Sequence, residues 1–535
     1  MFPASPSASA TPARRGRRAR AAAAQAQAQA PPVWSGVVGG RYRPLSDAQA
    51  RRVHATALDL LEKVGLASPT DSLVQTVTQA GGALGDDGRL RFPRALVEDV
   101  IAGARRDVVV HGQRGGLELD LSGARVHVGS GGASPSIVDL DSGAYRDATL
   151  RDLYDAARLA DALDNIHFFN RSLVARDVAA PRAFDLNTAY AVMAGTAKPI
   201  GTSFSAAAHV ADAVAMFDLG AGGDGDGGAF RRAPFCVLLC CHVVPPLRFA
   251  EESCAVLERG VRLGMPVMLI AAGQAGATSP AALAGSVAQS VAETLAGAVF
   301  AYLLDPAAQI IFAPKPLVAD LRTGAMSGGG GEQAALMAAA AQMGRFYGFP
   351  TSVIAGITDA KIPDAQHGYE KGGAVTLAAH AGANMITQAC GMEASLLGCS
   401  FESYVIDNDM LGVILRTVRG VEVSDDTLSF ETIREVVEGE GHFLGHAQTM
   451  QSMTRDYLYP QVADRATPQD WAERGGRDIR RRARDRAREI LRAHVPRHLS
   501  AKADTAIRRR FEILLPPAGG CETGSAGSPG RHSVR

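Results

Sequence analysis

Between residues 45 and 64 apolar side chains recur at helical spacing, with Val53, Leu58, Leu61 and Val64 forming one stripe. Ser46 and Asp47 offer capping oxygens at its start and Gly65 a stop at its end, so the pattern predicts a helix. Residues 90–140 have a different texture. Short runs such as Val108-Val109-Val110 and Arg125-Val126-His127-Val128 stand between glycines and read as β-rich decoration. From Thr149 onward, long Ala/Leu-rich helical stretches alternate with short apolar runs at 199–204, 236–244, 267–271, 309–312, 351–355 and 385–387. Runs that are apolar throughout fit strands buried on both faces, and strands separated by helices pair in parallel. Recurrence about every 30–45 residues suits a (β/α)8 barrel better than a short doubly wound sheet. The expected fold class is therefore α/β: a (β/α)8 TIM barrel with N-terminal helical and β decorations, spanning residues 45–515. A Rossmann-type sheet would need a glycine-rich loop between a first strand and its helix. The glycine-rich stretch 220–228 instead precedes a strand, so it is expected to be a surface loop and not a phosphate cradle.

Composition narrows the possibilities modestly. The chain has 535 residues, with 55 Lys+Arg against 55 Asp+Glu, and this balance argues against a general binder of nucleic acid or anionic membranes. No stretch holds the ~18–20 uninterrupted apolar residues of a membrane span; the run 235–246 is shorter and contains two prolines. Seven cysteines without a CxxC fit reduced thiols, and a cytoplasmic location is expected. Cys240-Cys241-His242 invites a zinc reading, but in an apolar strand such cysteines are more ordinarily core filler. No metal is expected. Lysine is rare, confined to positions 63, 198, 315, 361, 371 and 502. Residues 1–32 are Ala/Pro/Arg-rich and acid-free, and 516–535 are Gly/Ser-rich, so both ends are expected to be disordered tails. The basic segment 477–492 contains Asp478, Asp485 and Glu489, which fits a solvated, self-paired helix face.

In a barrel, chemistry gathers on the loops after the strands' C-terminal ends. Four such segments carry suitable side chains. The densest follows 351–355 and holds Asp359, Lys361, Asp364, Gln366, His367, Tyr369, Glu370 and Lys371; Asp364 there also suits a helix N-cap. A second, 320–332, combines Asp320, Arg322 and Glu332 with a glycine run that lets backbone approach a ligand. A third, 273–280, leads towards Glu293. The fourth places His442 and His446 at i, i+4, a spacing that can hold a metal but lacks the Glu of a zinc-protease helix.

Taken in order, several blocks resemble the trimethylamine methyltransferase family: ALDLLEKVGL, RFPRALVEDVI, IVDLDSGAYRDATLRDLYDAARLADALDNIHF, GTAKPI, GATSPAALAGSVAQSVAETLAG, DLRTG, TDAKIPDAQHGYEK and SFETIREVVEGEGHFLGHAQT. The resemblance covers most of residues 45–495. It implies a TIM barrel that moves a methyl group from a methylated amine to the Co(I) of a separate corrinoid protein. Founding members carry pyrrolysine in the barrel centre. This chain has none, and the family pattern puts that position at or beside Lys361. The branch without pyrrolysine is associated with quaternary amines such as glycine betaine. A quaternary nitrogen leaves as a neutral tertiary amine, so demethylation needs positioning and electrostatics but no general acid. The resemblance implies Asp359, Lys361, Asp364 and Gln366 as catalytic candidates. Tyr369, Glu370, Phe204, Phe401 and Tyr404 are then available to hold N-methyl groups, and Lys361, Gln366 or His442 a carboxylate. The corrinoid is expected on the partner: a cobalamin-binding domain would show DxHxxG, and Asp164–His167 and Asp364–His367 have the wrong spacing. A homo-oligomer stays open. Two other readings are a metal-dependent barrel hydrolase using His442/His446 or Cys240/Cys241/His242, and a non-catalytic betaine-binding protein.

Overall fold

In a computed structural model that describes residues 32–517, the six apolar runs become six of eight parallel strands, each strand followed by a helix. In chain order these are β1 (Arg125–Val128), α1 (Leu150–Ala162), β2 (Phe169–Asn170), α2 (Pro181–Gly195), β3 (Ile200–Thr202), α3 (Ala207–Gly220), β4 (Cys236–Cys240) and α4 (Glu251–Arg262). They continue with β5 (Val267–Ala271), α5 (Leu283–Leu304), β6 (Ile310–Pro314), α6 (Gly331–Tyr347), β7 (Ser352–Ile354), α7 (Ala365–His380), β8 (Met385–Thr387) and α8 (Phe401–Arg419). Parallel pairing runs from β2 through β6, and from β7 through β8 to β1. Single parallel bridges, Gly129 to Phe168 and Phe312 to Thr351, close the two gaps into a ring. The fold is a (β/α)8 barrel.

Strand alternation sorts the side chains into two cores. Val237, Met268, Ile311, Ala313, Met385 and Phe168 fill the lumen, while Cys236, Leu238, Val267, Leu269, Ile310, Phe312 and Ile386 face the helices. Val108, Val110, Leu119 and Leu121 join the luminal cluster from the hairpin Val109–Val110/Leu119–Asp120. This hairpin plugs the end of the barrel where strands begin: His111 N–H donates to the carbonyl of Pro234, just before β4. Residues 125–128, expected as decoration, are the first barrel strand. Arg125 and His127 interrupt the apolar pattern there because His127 reaches the plug, its Nε2 2.9 Å from the carbonyl of Asp120.

The N-terminal helix forms as expected, Asp47–Asp59, with Ser46 and Gln49 making a reciprocal capping box. It ends in a π-helical turn, Leu60–Val64, before Gly65 (φ +68°), where a side chain would strike the Leu90 carbonyl. This helix packs on α5 together with Asp71–Gln79 and Arg94–Gly103. Such two-sided burial explains why α5 is long and apolar enough to cross a membrane by composition; 83% of its most apolar window is buried inside the protein. The basic segment forms the helix Ile479–Ala493, and its charges do more than pair with each other. Arg477–Asp485 and Arg486–Glu489 are internal, whereas Arg480 and Arg484 both grip buried Glu402 of α8. The glycine-rich stretch 220–228 is a loop folded over Asp218, whose carboxylate accepts the N–H groups of Gly225, Ala229 and Phe230. The tails expected at 1–32 and 516–535 fall outside the described residues, except for Pro32, Pro516 and Pro517.

Candidate active site

Above the luminal core the barrel opens. Leu239 of β4 and Ile270 of β5 point inward yet are partly solvent-accessible, as are the next inward residues, Cys241 and Ala272. Below them Val237 and Met268 are completely buried. The lumen therefore holds a well, open at the strands' C-terminal ends. Gly201 keeps it wide: a Cβ there would lie 2.2 Å from Asn170 Oδ1 and 3.2 Å from Leu239 Cδ2. Lys315, one residue beyond β6 and two beyond luminal Ala313, also faces inward. Its amine runs back down the lumen, 3.1 Å from Thr387 Oγ1 and 3.7 Å from Met268 Sδ. Burial lowers its pKa to about 8, with Cys241 acting in the opposite direction. Burial also raises the Cys241 thiol, partly offset by Lys315 and Arg171.

The segment expected to be functional lies on the same face, in the loop from β7 into α7. Its carboxylates organise that loop. Glu370 accepts Thr358 Oγ1 (2.6 Å), Asp359 N–H (2.8 Å) and Gln366 Nε2 (2.8 Å), and fits under Gly329, where any Cβ would collide with the carboxylate. Asp359 accepts Gly328 N–H (2.9 Å), Ser327 Oγ (3.1 Å) and a short bond from Ser395 Oγ. It thus ties the loops after β6, β7 and β8 together. Ala394, Ser395 and Leu396 occupy left-handed backbone (φ +49°, +54° and +73°), at a cost of about 1–2 kcal/mol each for residues with a side chain. Bonds from Ser395 N–H to Thr358 and from Ala394 N–H to Ala360 hold the turn against β7's loop. Lys361 is exposed, its Nζ on the carbonyl of Asp359. Asp364 caps α7 through His367 N–H, and Tyr369 is largely exposed.

Behind this loop sits a buried ionic clamp. Asp407 of α8 accepts Lys371 Nζ (2.6 Å) and Gly391 N–H (2.8 Å) on one oxygen, with His367 Nε2 at 2.9 Å from the other. His367 Nδ1 lies 2.8 Å from Glu393, which Ser403 also contacts. Burial and Lys371 work against the imidazolium, but Asp407 and Glu393 outweigh them and raise the His367 pKa. Burial likewise opposes ionised Asp407, and Lys371 with His367 overcomes it, holding the carboxyl below its usual range.

Three further expected residues follow strands at this same end of the barrel, Phe204 just past β3 and Phe401 and Tyr404 in the first turn of α8. Phe204, Phe401 and Tyr404 are buried, Tyr404 completely. His442 is exposed, beyond α8 and two further helices, with Glu440 as its charged neighbour. His446 caps Ala447–Arg455 through Gln448 N–H. Cys240 and His242 bond to the carbonyls of Ser253 and Glu293, away from Cys241. Glu293, on α5, accepts Leu247 N–H and Gln289 Nε2, and burial pushes its pKa up to about 7. Among the described residues, potential metal ligands converge at Asp218 of α3 with Asp224 and Asp226 of the glycine-rich loop. The two histidines that follow an aspartate at near-corrinoid spacing, His167 and His367, are already committed. His367 is held between two carboxylates and His167 Nδ1 accepts Val128 N–H, so neither imidazole is free to ligate cobalt. Lys315 and Ser395, which the structure places in the lumen and at the mouth, were not among the expected site residues. The available signal for Lys315 was its inward register, two positions after Ala313.

A profile of the trimethylamine methyltransferase family (MTTB) matches residues 13–512. The glycine betaine methyltransferase of Desulfitobacterium hafniense is 26% identical over 468 residues, covering 88% of this chain and 96% of that protein. The trimethylamine methyltransferase MttB2 of Methanosarcina mazei is 31% identical over 460 residues, covering 83% and 90%. Among solved structures, the monomethylamine methyltransferase of Methanosarcina barkeri superposes with a TM-score of 0.45 at 14% identity, covering 85% of this chain and 95% of that one. The chain belongs to the trimethylamine methyltransferase family and is a methyltransferase built on a (β/α)8 barrel.

Proposed function

We propose that the protein takes a methyl group from a small methylated amine, of the quaternary betaine class, and passes it to a separate corrinoid protein docked over the open end of the barrel. The observation that carries this reading is the family match over residues 13–512, on a chain whose barrel opens as a well beside the loop 358–371. The partner's corrinoid supplies a nucleophilic metal. The chain's own work is to admit one amine, strip its water and hold one N-methyl towards the opening. Asp359 fixes the loops after β6, β7 and β8 around the mouth, and Glu370 with Gln366 fixes the start of α7. A quaternary donor suits this arrangement because its leaving group needs no proton.

The test is methylation of free cob(I)alamin by the purified protein, offering trimethylamine, glycine betaine, proline betaine and carnitine in parallel. Methyl transfer from a betaine, with trimethylamine inert, is expected. Transfer from trimethylamine alone would overturn the substrate class, and transfer from none would overturn the activity.

A further inference from the structure

Three lysines are buried in this protein, and two of them have full sets of partners. Lys198 Nζ donates to the carbonyls of Ala160, Leu163 and Ile166 at 2.6–2.8 Å. Lys371 forms its 2.6 Å ion pair with Asp407. Lys315, only 1% exposed, has a hydroxyl and a thioether, and among the described residues no carboxylate pairs with it. An ammonium has three donors and is costly to bury without a counter-ion. Among the described residues no carbonyl or acid completes it, and its two contacts, Met268 and Thr387, lie in the lumen beneath the solvent-accessible well. A second cation stands near the same thiol: Arg171, after β2, lies 5.8 Å over the Phe184 ring, and both it and Lys315 act on Cys241. Asp185 acts on Arg171 from α2 but is itself committed to Ser205 and His209.

We propose that Lys315 is the anion-binding residue of the substrate well, pairing with the carboxylate of a zwitterionic methylated amine and setting its orientation. This deepens the function proposed above and rests on it. The four rotatable bonds of the side chain let the amine swing from Met268 up into the well to meet the ligand. A carboxylate held at the floor leaves the quaternary nitrogen and its methyl groups towards the opening, where an external acceptor must approach. The same charge disfavours a donor that is only a cation, such as tetramethylammonium or choline. Lys361 is left exposed, with its own backbone contact at Asp359.

Equilibrium binding tests the idea without any partner protein. Isothermal titration of the wild-type chain with glycine betaine, proline betaine and carnitine is compared with tetramethylammonium and choline at matched ionic strength. The tightest ligand is expected to be a zwitterion, at least tenfold tighter than either carboxylate-free cation. Lys315→Met should abolish that preference while keeping the wild-type circular dichroism spectrum and melting temperature within a few degrees. Lys315→Arg should retain part of it. A carboxylate-free cation binding tightest to the wild type would overturn the proposal even if Lys315→Met failed to fold. So would an unchanged zwitterion affinity in folded Lys315→Met. The methyl-transfer assay separates the two failures. Zwitterion binding lost in Lys315→Met with no transfer to cob(I)alamin from any amine would remove the proposed activity and leave the anion site. Normal transfer from a betaine by Lys315→Met would remove the anion site and leave the activity.

Discussion

Replacing Lys371 by Met isolates the clamp behind the candidate loop. The wild-type ammonium lies 2.6 Å from Asp407 Oδ2, and both side chains are fully buried. At an effective dielectric of about 20, two unit charges at that separation attract by about 6 kcal/mol. Desolvation of the two ions consumes much of this, so the net value of the pair is far smaller. Removing one member is a different matter, because it leaves Asp407 buried with only His367 and Gly391 N–H as partners. Truncating one side of a buried pair costs about 3–5 kcal/mol. Lys371→Met is therefore expected to destabilise by that amount, measured as a shift of the first urea transition followed by tryptophan fluorescence and circular dichroism. Asp407→Asn neutralises the other partner, and the double variant should cost less than the two single changes combined, with a coupling of at least about 2 kcal/mol. A Lys371→Met transition within 1 kcal/mol of wild type, or strict additivity in the cycle, would refute the assignment of this pair as a structural clamp.

Other expectations follow from the same geometry. Gln366→Ala removes a donor from Glu370 and should lower methyl transfer at least tenfold, about 1.4 kcal/mol of barrier, with the melting temperature little changed; unchanged kinetics would remove Gln366 from the site. Gly201→Ala places a methyl group against Asn170 and Leu239, and should cost about 1–3 kcal/mol of stability and weaken ligand binding in titration. Glu293 has its carboxyl raised from its ordinary 4.5 to about 7, chiefly by burial. Its contribution to stability is fully present below the unfolded value and is lost as pH rises through the folded one. Glu293→Gln should therefore gain on wild type by about 3 kcal/mol between pH 4.5 and pH 8 in denaturant titrations, and a pH-independent difference would contradict this. His367 is raised by Asp407 and Glu393, so its stabilisation is complete below about pH 6.5 and fades as pH climbs through its folded value; His367→Gln should flatten that part of the stability profile.

Local pattern carried much of the architecture. The runs at 267–271 and 385–387 coincide with β5 and β8 because strands buried on both faces are apolar along their whole length. The capped helix from Asp47 was legible because Ser46, the apolar stripe and the terminating Gly65 all act within one chain segment. β1 was legible as a strand but not as part of the barrel, since Arg125 and His127 break the apolar run, and β2, two residues long, was not legible at all. The chemistry of TDAKIPDAQHGYEK was visible as a cluster of side-chain types, but its division of labour was not. His367 and Lys371 turn inward to Asp407, 36–40 residues away, while Tyr369 and Lys361 turn out. Lys315 makes the point most sharply. Its period-2 position after Ala313 is a property of sequence, but whether that direction means lumen or surface depends on ring closure. Closure rests on bridges such as Phe312 to Thr351 and Gly129 to Phe168, and on a plug supplied by residues 108–121. Side chains from β4, β5, β6 and β8 meet over one well only after those nonlocal contacts form, because alternation sets which way a residue points and tertiary packing sets what it points at.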